Sequence, residues 1–246
     1  MKEQKAMGDN IIIFGASSGI GEATAKLLES EGYNVLVSAR RQEKLQLIQP
    51  KTGNIFPCDV TDYESVEKSI SAMVQAHGKI KSVVYCSGIQ YIAPLRLNKM
   101  ENVESLFKTN ILGLINVLRI FSSKRVASFN DSSLIAVSSI AGQKPEPGIL
   151  AYSATKAALN NLIIGAAKEI APIRVNGVSP GFLDTEMTQA FNNIYTEKFV
   201  EDLQNRYPLG LPTVDDVSNM ISFLISSKAR KITGQTIDVD GGGILI

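Results

Sequence analysis

Short apolar runs alternate with segments of helical spacing along nearly the whole chain, and this alternation limits the fold more than any other feature. A continuous apolar run bounded by turn residues predicts a strand that is buried on both faces, as in a parallel sheet. The predicted strands are residues 11–14, 35–37, 55–58, 83–86, 134–137, 173–178 and 236–239. The predicted helices between and after them are residues 21–31, 42–48, 61–77, 99–121, 152–169 and 214–226.

This order of elements predicts an α/β fold, a doubly wound parallel sheet of about seven strands with helices on both faces. Residues 10–246 contain no linker, repeat or low-complexity segment, so we interpret them as a single domain after a flexible, polar N-terminus at residues 1–9. The third helix has capping-box spacing at its start, with Thr61 three residues before Glu64. Ligands of such sheets bind beyond the carboxyl ends of the strands, so functional residues are expected directly after the strands.

The charge balance argues against nucleic acid or an anionic membrane as the main partner. The chain has 25 basic and 24 acidic residues and no basic stripe. Its apolar runs are far shorter than the roughly 20 residues of a membrane-spanning helix, and its start lacks the apolar core of a signal peptide. Cys58 and Cys86 have no CxxC spacing, and His77 has no neighbouring Cys or His. We therefore expect reduced thiols, no metal site and a cytoplasmic protein.

A glycine-rich turn follows the first predicted strand. It reads Gly15-Ala16-Ser17-Ser18-Gly19-Ile20-Gly21, a GxxxGxG spacing between a strand and a helix. Glycines let the backbone turn tightly and approach a ligand closely. The helix that follows offers free amides and the positive end of its dipole to a phosphate. The turn therefore favours nucleotide binding over a purely structural connection.

Two arginines follow the second predicted strand. Folds that bind NAD usually place an acidic residue here for the ribose 2′-hydroxyl, and this chain has Arg40 and Arg41 instead. Their guanidinium groups suit a 2′-phosphate, so we expect NADP(H) in preference to NAD(H); the alternative is a pair of solvated arginines. Asp59 follows the third predicted strand and either meets the adenine amino group or serves only as a turn residue.

Tyr152 and Lys156 stand four residues apart in a predicted helix, which places them on one face, one turn apart. A phenol titrates near 10, and a fixed cation beside it favours the phenolate and lowers its pKa. The pair is therefore a candidate acid and base for a substrate oxygen. Ser139, at the end of the fifth predicted strand, has a hydroxyl that can donate to the same oxygen.

Together these segments resemble the short-chain dehydrogenase/reductase family over about residues 10–243. Three further motifs carry the resemblance: Asn110 in Lys-Thr-Asn, Ser179-Pro180-Gly181, and Thr233-Gly234-Gln235 with Asp240-Gly241-Gly242. The resemblance implies a Rossmann-type nucleotide-binding fold and a catalytic tetrad of Asn110, Ser139, Tyr152 and Lys156. In it, Tyr152 exchanges the proton and Ser139 orients the carbonyl. Lys156 lowers the pKa of the tyrosine and holds the nicotinamide ribose. Asn110 anchors a water in a proton relay.

The resemblance also implies a set of cofactor contacts. These are Gly15, Ser17, Ser18, Gly19, Ile20, Gly21, Arg40, Arg41, Asp59, Val60, Ser87, Gly88, Tyr152, Lys156, Pro180, Gly181, Leu183 and Thr185. The chain departs from the family pattern at two places. Phe14 stands where the family usually has Thr, and Tyr85-Cys86-Ser87-Gly88 replaces the usual Asn-Asn-Ala-Gly. Both changes bear on hydrogen bonding between strand and loop near the cofactor.

The segment 182–212 is predicted to cover the substrate as a partly apolar lid. Its large apolar side chains include Phe182, Met187, Phe191, Ile194, Tyr195 and Phe199, and its cations are Lys198 and Arg206. The resemblance implies an NADP(H)-dependent reductase of a small-molecule carbonyl, or a dehydrogenase of an alcohol, that forms a homotetramer or homodimer. The pattern is similar to bacterial 3-oxoacyl-carrier-protein reductases, with keto-sugars and secondary-metabolite ketones as alternative substrates.

Two alternatives come from other functional classes. A non-catalytic NADP-binding regulator or scaffold would not require Ser139 and Tyr152 in register. A hydrolase built on Ser139 is disfavoured because the chain lacks a G-x-S-x-G turn and its only histidine, His77, lies on a predicted helix.

Overall fold

The computed structural model describes residues 8–48, 54–129 and 131–246. These residues form a six-stranded sheet in the order β2-β1-β3-β4-β5-β6, and all neighbouring strands are parallel. The strands are β1 (Asn10–Phe14), β2 (Asn34–Ser38), β3 (Ile80–Tyr85), β4 (Ser133–Val137), β5 (Arg174–Pro180) and β6 (Thr236–Val239). The predicted doubly wound α/β fold is therefore confirmed.

Nine α-helices are found in the described residues. They are α1 (Gly19–Ser30), α2 (Gln42–Ile48), α3 (Tyr63–His77), α4 (Met100–Phe107), α5 (Gly113–Phe121), α6 (Leu150–Glu169), α7 (Glu186–Gln189), α8 (Glu197–Arg206) and α9 (Val214–Ile225). Within this part of the chain, no helix is long and apolar enough to cross a membrane.

The sheet is covered on both faces, which explains why β1 is an almost continuous apolar run. Ile12 and Phe14 of β1 point to one face and pack in a core with α3, α5 and α6. Ile11 and Ile13 point to the other face and pack with α1, α2 and α9. These four side chains are fully buried, and β1 lies between β2 and β3 and ends at the glycine turn on the carboxyl edge of the sheet.

Three predicted elements differ from the structure. Residues 55–58 form no strand, and the sheet has six strands instead of seven. Ile55 makes a single parallel bridge to Val37, and Pro57 has no amide hydrogen to extend a ladder. The predicted helix at 99–121 is interrupted by a π-helical turn, Lys108–Leu112, between α4 and α5. The cap of α3 is Asp62, whose carboxylate accepts from the Glu64 amide at 3.0 Å, and not Thr61. Most of the N-terminus predicted to be flexible, residues 1–7, lies outside the described residues.

Candidate active site

A cavity of about 1110 Å³ lies at the carboxyl edge of the sheet, at the upper end of the size range usual for cofactor and substrate sites. With one exception, every residue predicted to act in catalysis or cofactor binding lines it. They are Gly15, Ser17, Ser18, Gly19, Ile20, Gly21, Arg40, Arg41, Asp59, Val60, Ser87, Gly88, Ser139, Tyr152, Lys156, Pro180, Gly181, Leu183 and Thr185. The exception is Asn110, which lies just behind the cavity wall, fully buried.

The glycine turn needs its glycines for close backbone packing. A Cβ on Gly21 would lie 2.2 Å from the Gly15 carbonyl oxygen, and one on Gly15, whose φ is +80°, would lie 2.6 Å from the Ser87 amide. Neither distance is compatible with a side chain. Within the described chain, the Ser18 side chain accepts no capping hydrogen bond from the first turn of α1. The amides of that turn therefore remain available to an anionic group.

Arg41 joins three parts of the cavity mouth. One guanidinium nitrogen donates to the hydroxyls of Ser17 at 2.9 Å and Ser18 at 3.2 Å. The other donates to the Glu186 carboxylate at 3.2 Å, and the Lys44 ammonium donates to the second oxygen of that carboxylate. These partners lower the pKa of Glu186, with the Lys44 hydrogen bond as the largest cause. Arg41 is thus directed toward the glycine turn, as a phosphate ligand would need to be.

Asp59 is held as a turn residue at the cavity wall. One carboxylate oxygen accepts from the Thr61 amide at 2.9 Å and from the Thr61 hydroxyl at 2.8 Å. The Asp59 amide donates to Ser65 at 3.1 Å. The two interpretations that the sequence left open are compatible, since the same aspartate closes the turn and lines the cavity.

Tyr152 and Lys156 lie on the cavity face of α6, 9% and 5% exposed. The Lys156 ammonium donates to the Val137 carbonyl at 2.9 Å and lies 5.5 Å from the centre of the Tyr152 ring. Burial lowers the pKa of Lys156 to about 8. The sequence predicts a lowered pKa for Tyr152, but burial raises the pKa of Tyr152 to about 12, opposed by the Ser139 hydroxyl. The phenol therefore carries its proton near pH 7.

Ser139 stands at the end of β4 as the cap of a short 3₁₀ turn, Ile140–Gly142, and accepts from the Ala141 amide at 3.2 Å. Accepting there leaves the Ser139 proton free to point toward the cavity. The next helix approaches this turn closely, because a Cβ on Gly142 would lie 2.7 Å from the Lys156 backbone. The contact sets Ser139 beside the residues of α6.

Asn110 sits in the π-helical turn and uses its side chain to tie three segments together. Its amide oxygen accepts from the Ile89 amide at 2.9 Å, and its amide nitrogen donates to the Ile89 carbonyl at 3.1 Å and to the Thr155 hydroxyl at 3.0 Å. The side chain therefore positions the loop after β3 against α6. Turns of this kind are frequent at functional sites.

The two departures from the family pattern form one buried unit. The rings of Phe14 and Tyr85 lie 6.5 Å apart, and the Tyr85 hydroxyl donates to the Thr109 carbonyl at 2.6 Å. Thr109 belongs to the same π-helical turn as Asn110. Tyr85 thus supplies from the strand a hydrogen bond that supports the turn behind the site.

The predicted lid forms α7 and α8, and the six apolar side chains named for it from the sequence all line the cavity. Phe182, Tyr195 and Phe199 make an aromatic cluster with ring centres 5.0 to 6.0 Å apart. The Tyr195 hydroxyl accepts from the Gln90 amide at 3.1 Å, which joins the lid to the loop after β3. Of the two lid cations, Arg206 lines the cavity and Lys198 does not.

Sequence reasoning missed three polar side chains at this site: Lys44, Gln90 and Glu186. Lys44 follows Arg41 by three residues on α2, so helical spacing was a usable signal for it. Gln90 and Glu186 act through partners 105 and 145 residues away, and no local pattern marks such pairs.

Comparison with known proteins gives consistent matches. A family model described as Enoyl-(Acyl carrier protein) reductase matches residues 15–243. The 3-oxoacyl-[acyl-carrier-protein] reductase FabG of Thermotoga maritima is 33% identical over 247 residues, covering 97% of this chain and 98% of that protein. A short-chain type dehydrogenase/reductase from Mycobacterium ulcerans is similar in structure, with a TM-score of 0.87, 29% identity, and 96% and 90% of the two chains covered. A structure of ElxO with NADP bound has a TM-score of 0.85 and 28% identity, covering 97% and 99%.

Proposed function

We propose that this chain is an NADP(H)-dependent reductase of apolar carbonyl compounds. The chain belongs to the short-chain dehydrogenase/reductase family, whose members use a nicotinamide cofactor to reduce carbonyl groups or oxidise alcohols. Its substrates in this proposal include 3-oxoacyl thioesters. The observation that supports it best is the placement of Ser139, Tyr152 and Lys156 on one wall of a cavity whose other wall is an apolar lid.

Each polar group of the wall has a distinct task in this proposal. A nicotinamide cofactor held there would supply a hydride to the carbonyl carbon. Tyr152 donates the proton that the carbonyl oxygen needs, and its raised pKa keeps that proton in place at neutral pH. Ser139 donates a hydrogen bond to the same oxygen while charge develops there. Lys156, fixed by the Val137 carbonyl, holds a positive charge beside the phenol. Asn110 is a positioning residue, since its side chain orders the wall from behind.

The residues present fit a dinucleotide with a 2′-phosphate. The first turn of α1 and the glycine turn would hold the pyrophosphate, and Arg40 and Arg41 would hold the 2′-phosphate. Gly88 lies beside Lys156, since a Cβ there would lie 3.8 Å from the ammonium, so both residues would face the nicotinamide ribose. Pro180, Gly181, Leu183 and Thr185 line the part of the wall nearest the lid.

The lid favours an uncharged, apolar carbonyl over a keto-sugar. Most of the lid wall is apolar, since Phe182, Met187, Phe191, Ile194 and Phe199 offer it no hydrogen-bonding side chain, although Tyr195 and Arg206 also line it. A sugar would have to leave several hydroxyls unpaired against these groups, at a cost of roughly 1–3 kcal/mol for each. The relatives named as 3-oxoacyl reductases support an acyl chain as the apolar part.

The test is oxidation of NADPH over a panel of a medium-chain 3-oxoacyl thioester, a cyclic ketone, a keto-sugar and a 2-enoyl thioester. We expect the thioester and the cyclic ketone to be reduced and the keto-sugar to be poorest. A charge-assisted contact of about 1.5–3 kcal/mol at Arg40 or Arg41 predicts a kcat/KM with NADPH about ten- to a hundredfold above that with NADH.

Each other result has a definite meaning. Binding of NADPH without turnover of any carbonyl would favour the non-catalytic module. Reduction of the enoyl thioester alone would contradict the carbonyl assignment. Equal kcat/KM with NADH and NADPH would leave the assignment as a reductase unchanged. It would mean that Arg40 and Arg41 are solvated and do not bind a 2′-phosphate.

We also propose that residues 10–246 act as one catalytic domain that assembles into a homodimer or homotetramer. Both core clusters share the same sheet, so the two faces cannot unfold independently. Large apolar side chains are exposed along the helices flanking the site: Met100, Leu112, Leu150 and Ile164, at 46% exposure or more. Sedimentation equilibrium should give two or four times the 26.6 kDa chain mass, and a monomer at micromolar concentration would contradict the assembly.

A further inference from the structure

The carboxylate of Glu186 holds two cations at the mouth of the cavity. Arg41 donates to one of its oxygens at 3.2 Å and Lys44 donates to the other. Glu186 is the first residue of α7 in the lid, whereas Arg41 precedes α2 and Lys44 lies on it. One acidic side chain therefore links the lid to the segment after β2.

Arg41 is one of the two arginines that would hold a 2′-phosphate in the proposed function, and Lys44 lies beside it on α2, bound to the same carboxylate. Arg41 also contacts Ser17 and Ser18 of the glycine turn, so its guanidinium lies on the nucleotide side of the cavity. A phosphate monoester carries a charge of about −1.5 to −2 at neutral pH and accepts several hydrogen bonds. Glu186 offers the same cations a charge of −1 and two acceptor oxygens. The two anions repel each other and compete for the same guanidinium and ammonium hydrogens.

We propose that Glu186 is a cofactor-selectivity residue that competes with the 2′-phosphate for Arg41 and Lys44, and so restrains the preference for NADP(H) over NAD(H). The inference rests on the proposed use of a 2′-phosphorylated cofactor. Arg41, Lys44 and Glu186 together carry a charge of +1, and replacing Glu186 with Gln raises it to +2. Binding of a group with a 2′-phosphate should therefore tighten, while binding of a group without one should not change.

A second account of the same contacts makes the opposite prediction. If Glu186 served to hold Arg41 and Lys44 in the geometry that receives the phosphate, its removal would disorder two long side chains. Binding of the phosphate would then weaken. The sign of the effect separates competition from ordering, and no activity measurement is needed to read it.

The experiment is calorimetric titration with adenosine 2′,5′-bisphosphate and with 5′-AMP at low ionic strength. The proteins are the wild type, Glu186→Gln and Glu43→Gln. Glu43 is an exposed acid on α2 beside Lys44 and forms no ion pair within the described residues, so it controls for net charge alone. We expect Glu186→Gln to bind the bisphosphate about fivefold more tightly, the effect of freeing an exposed ion pair, and 5′-AMP unchanged. Glu43→Gln should change both by less than about twofold.

The outcomes separate this inference from the proposed function. If wild type fails to prefer the bisphosphate but Glu186→Gln prefers it, the inference stands and NADP(H) preference of the wild type fails. If both proteins prefer it equally, the inference fails and the cofactor proposal stands. Weaker bisphosphate binding, or equal tightening of both ligands, also overturns the inference. In an Arg41→Ala, Lys44→Ala background the effect of Glu186→Gln should disappear.

Discussion

Replacing Tyr152 with Phe should lower turnover by about 10²–10⁴-fold, the usual loss when a positioned acid is removed. The change deletes one hydroxyl and keeps the ring that packs with Leu106 and Ala141. The fold and the cofactor cradle should therefore survive, and NADPH should bind with nearly unchanged affinity. The measurement is the steady-state rate on whichever carbonyl the wild type accepts, together with NADPH binding by fluorescence.

Tyr33→Phe is the matched control, because it deletes a phenol hydroxyl away from the cavity wall. Its turnover should stay within about twofold of wild type, as is usual for a change remote from the reacting atoms. Near wild-type turnover in Tyr152→Phe would remove the proton-donor role. Loss of turnover together with loss of NADPH binding would indicate damage to the site as a whole.

The central strands were predictable because a strand that is buried on both faces appears in the sequence as a continuous run of apolar residues. Ile11, Ile12 and Ile13 are all fully buried, and no polar residue interrupts them. The segment 55–58 carries a similar apolar signal but lies beside the end of β2. The Phe56 amide reaches the Val37 carbonyl at 3.0 Å, and β2 then stops at Ser38. Pro57 stands inside the segment and has no amide hydrogen for a strand ladder, so the segment itself carried a signal against a regular strand.

The interruption of the long helix at residue 108 also depends on distant partners. The Thr109 carbonyl accepts a hydrogen bond from the Tyr85 hydroxyl. The Asn110 side chain is hydrogen-bonded to the Ile89 amide and the Thr155 hydroxyl. Local helical propensity continues through Ile111 and Leu112, so spacing alone predicts a regular helix. The resemblance to the family identified Asn110, but the hydrogen bonds show that its side chain braces the wall from outside the cavity.

The cofactor wall was predictable where its residues follow strands in short motifs. The glycine turn, Arg40 and Arg41 all reach the cavity as expected. The acidic partner of Arg41 comes from the lid, which is far away in sequence: Arg41 donates to the carboxylate of Glu186. Charge state was likewise beyond local pattern, since it depends on how deeply the groups are buried. Burial raises the pKa of Tyr152, where the sequence predicted that it would be lowered, and burial also lowers the pKa of Lys156.

Lys156 should give ketone reduction a pH dependence of its own. Burial holds its pKa at about 8, below the usual 10.5, so the ammonium is present below about pH 8 and is lost above it. Tyr152 keeps its proton throughout, because burial raises its pKa to about 12. We therefore expect kcat/KM for reduction to be level from about pH 6 to 7 and to fall as pH rises through 8.

Lys156→Met should abolish that fall and lower the rate at pH 7 by about 10²–10³-fold, the typical loss when one fixed electrostatic donor is removed. NADPH affinity should weaken in the same variant, because the ammonium that would hold the ribose is gone. Lys156→Arg keeps a charge that does not titrate in this range, so its profile should also be level, with a smaller loss of rate. Lys68→Met, on the exposed side of α3, controls for loss of a cation and should retain the wild-type fall. A fall through pH 8 that persists in Lys156→Met would assign the titration to another group and leave Lys156 with a purely structural role.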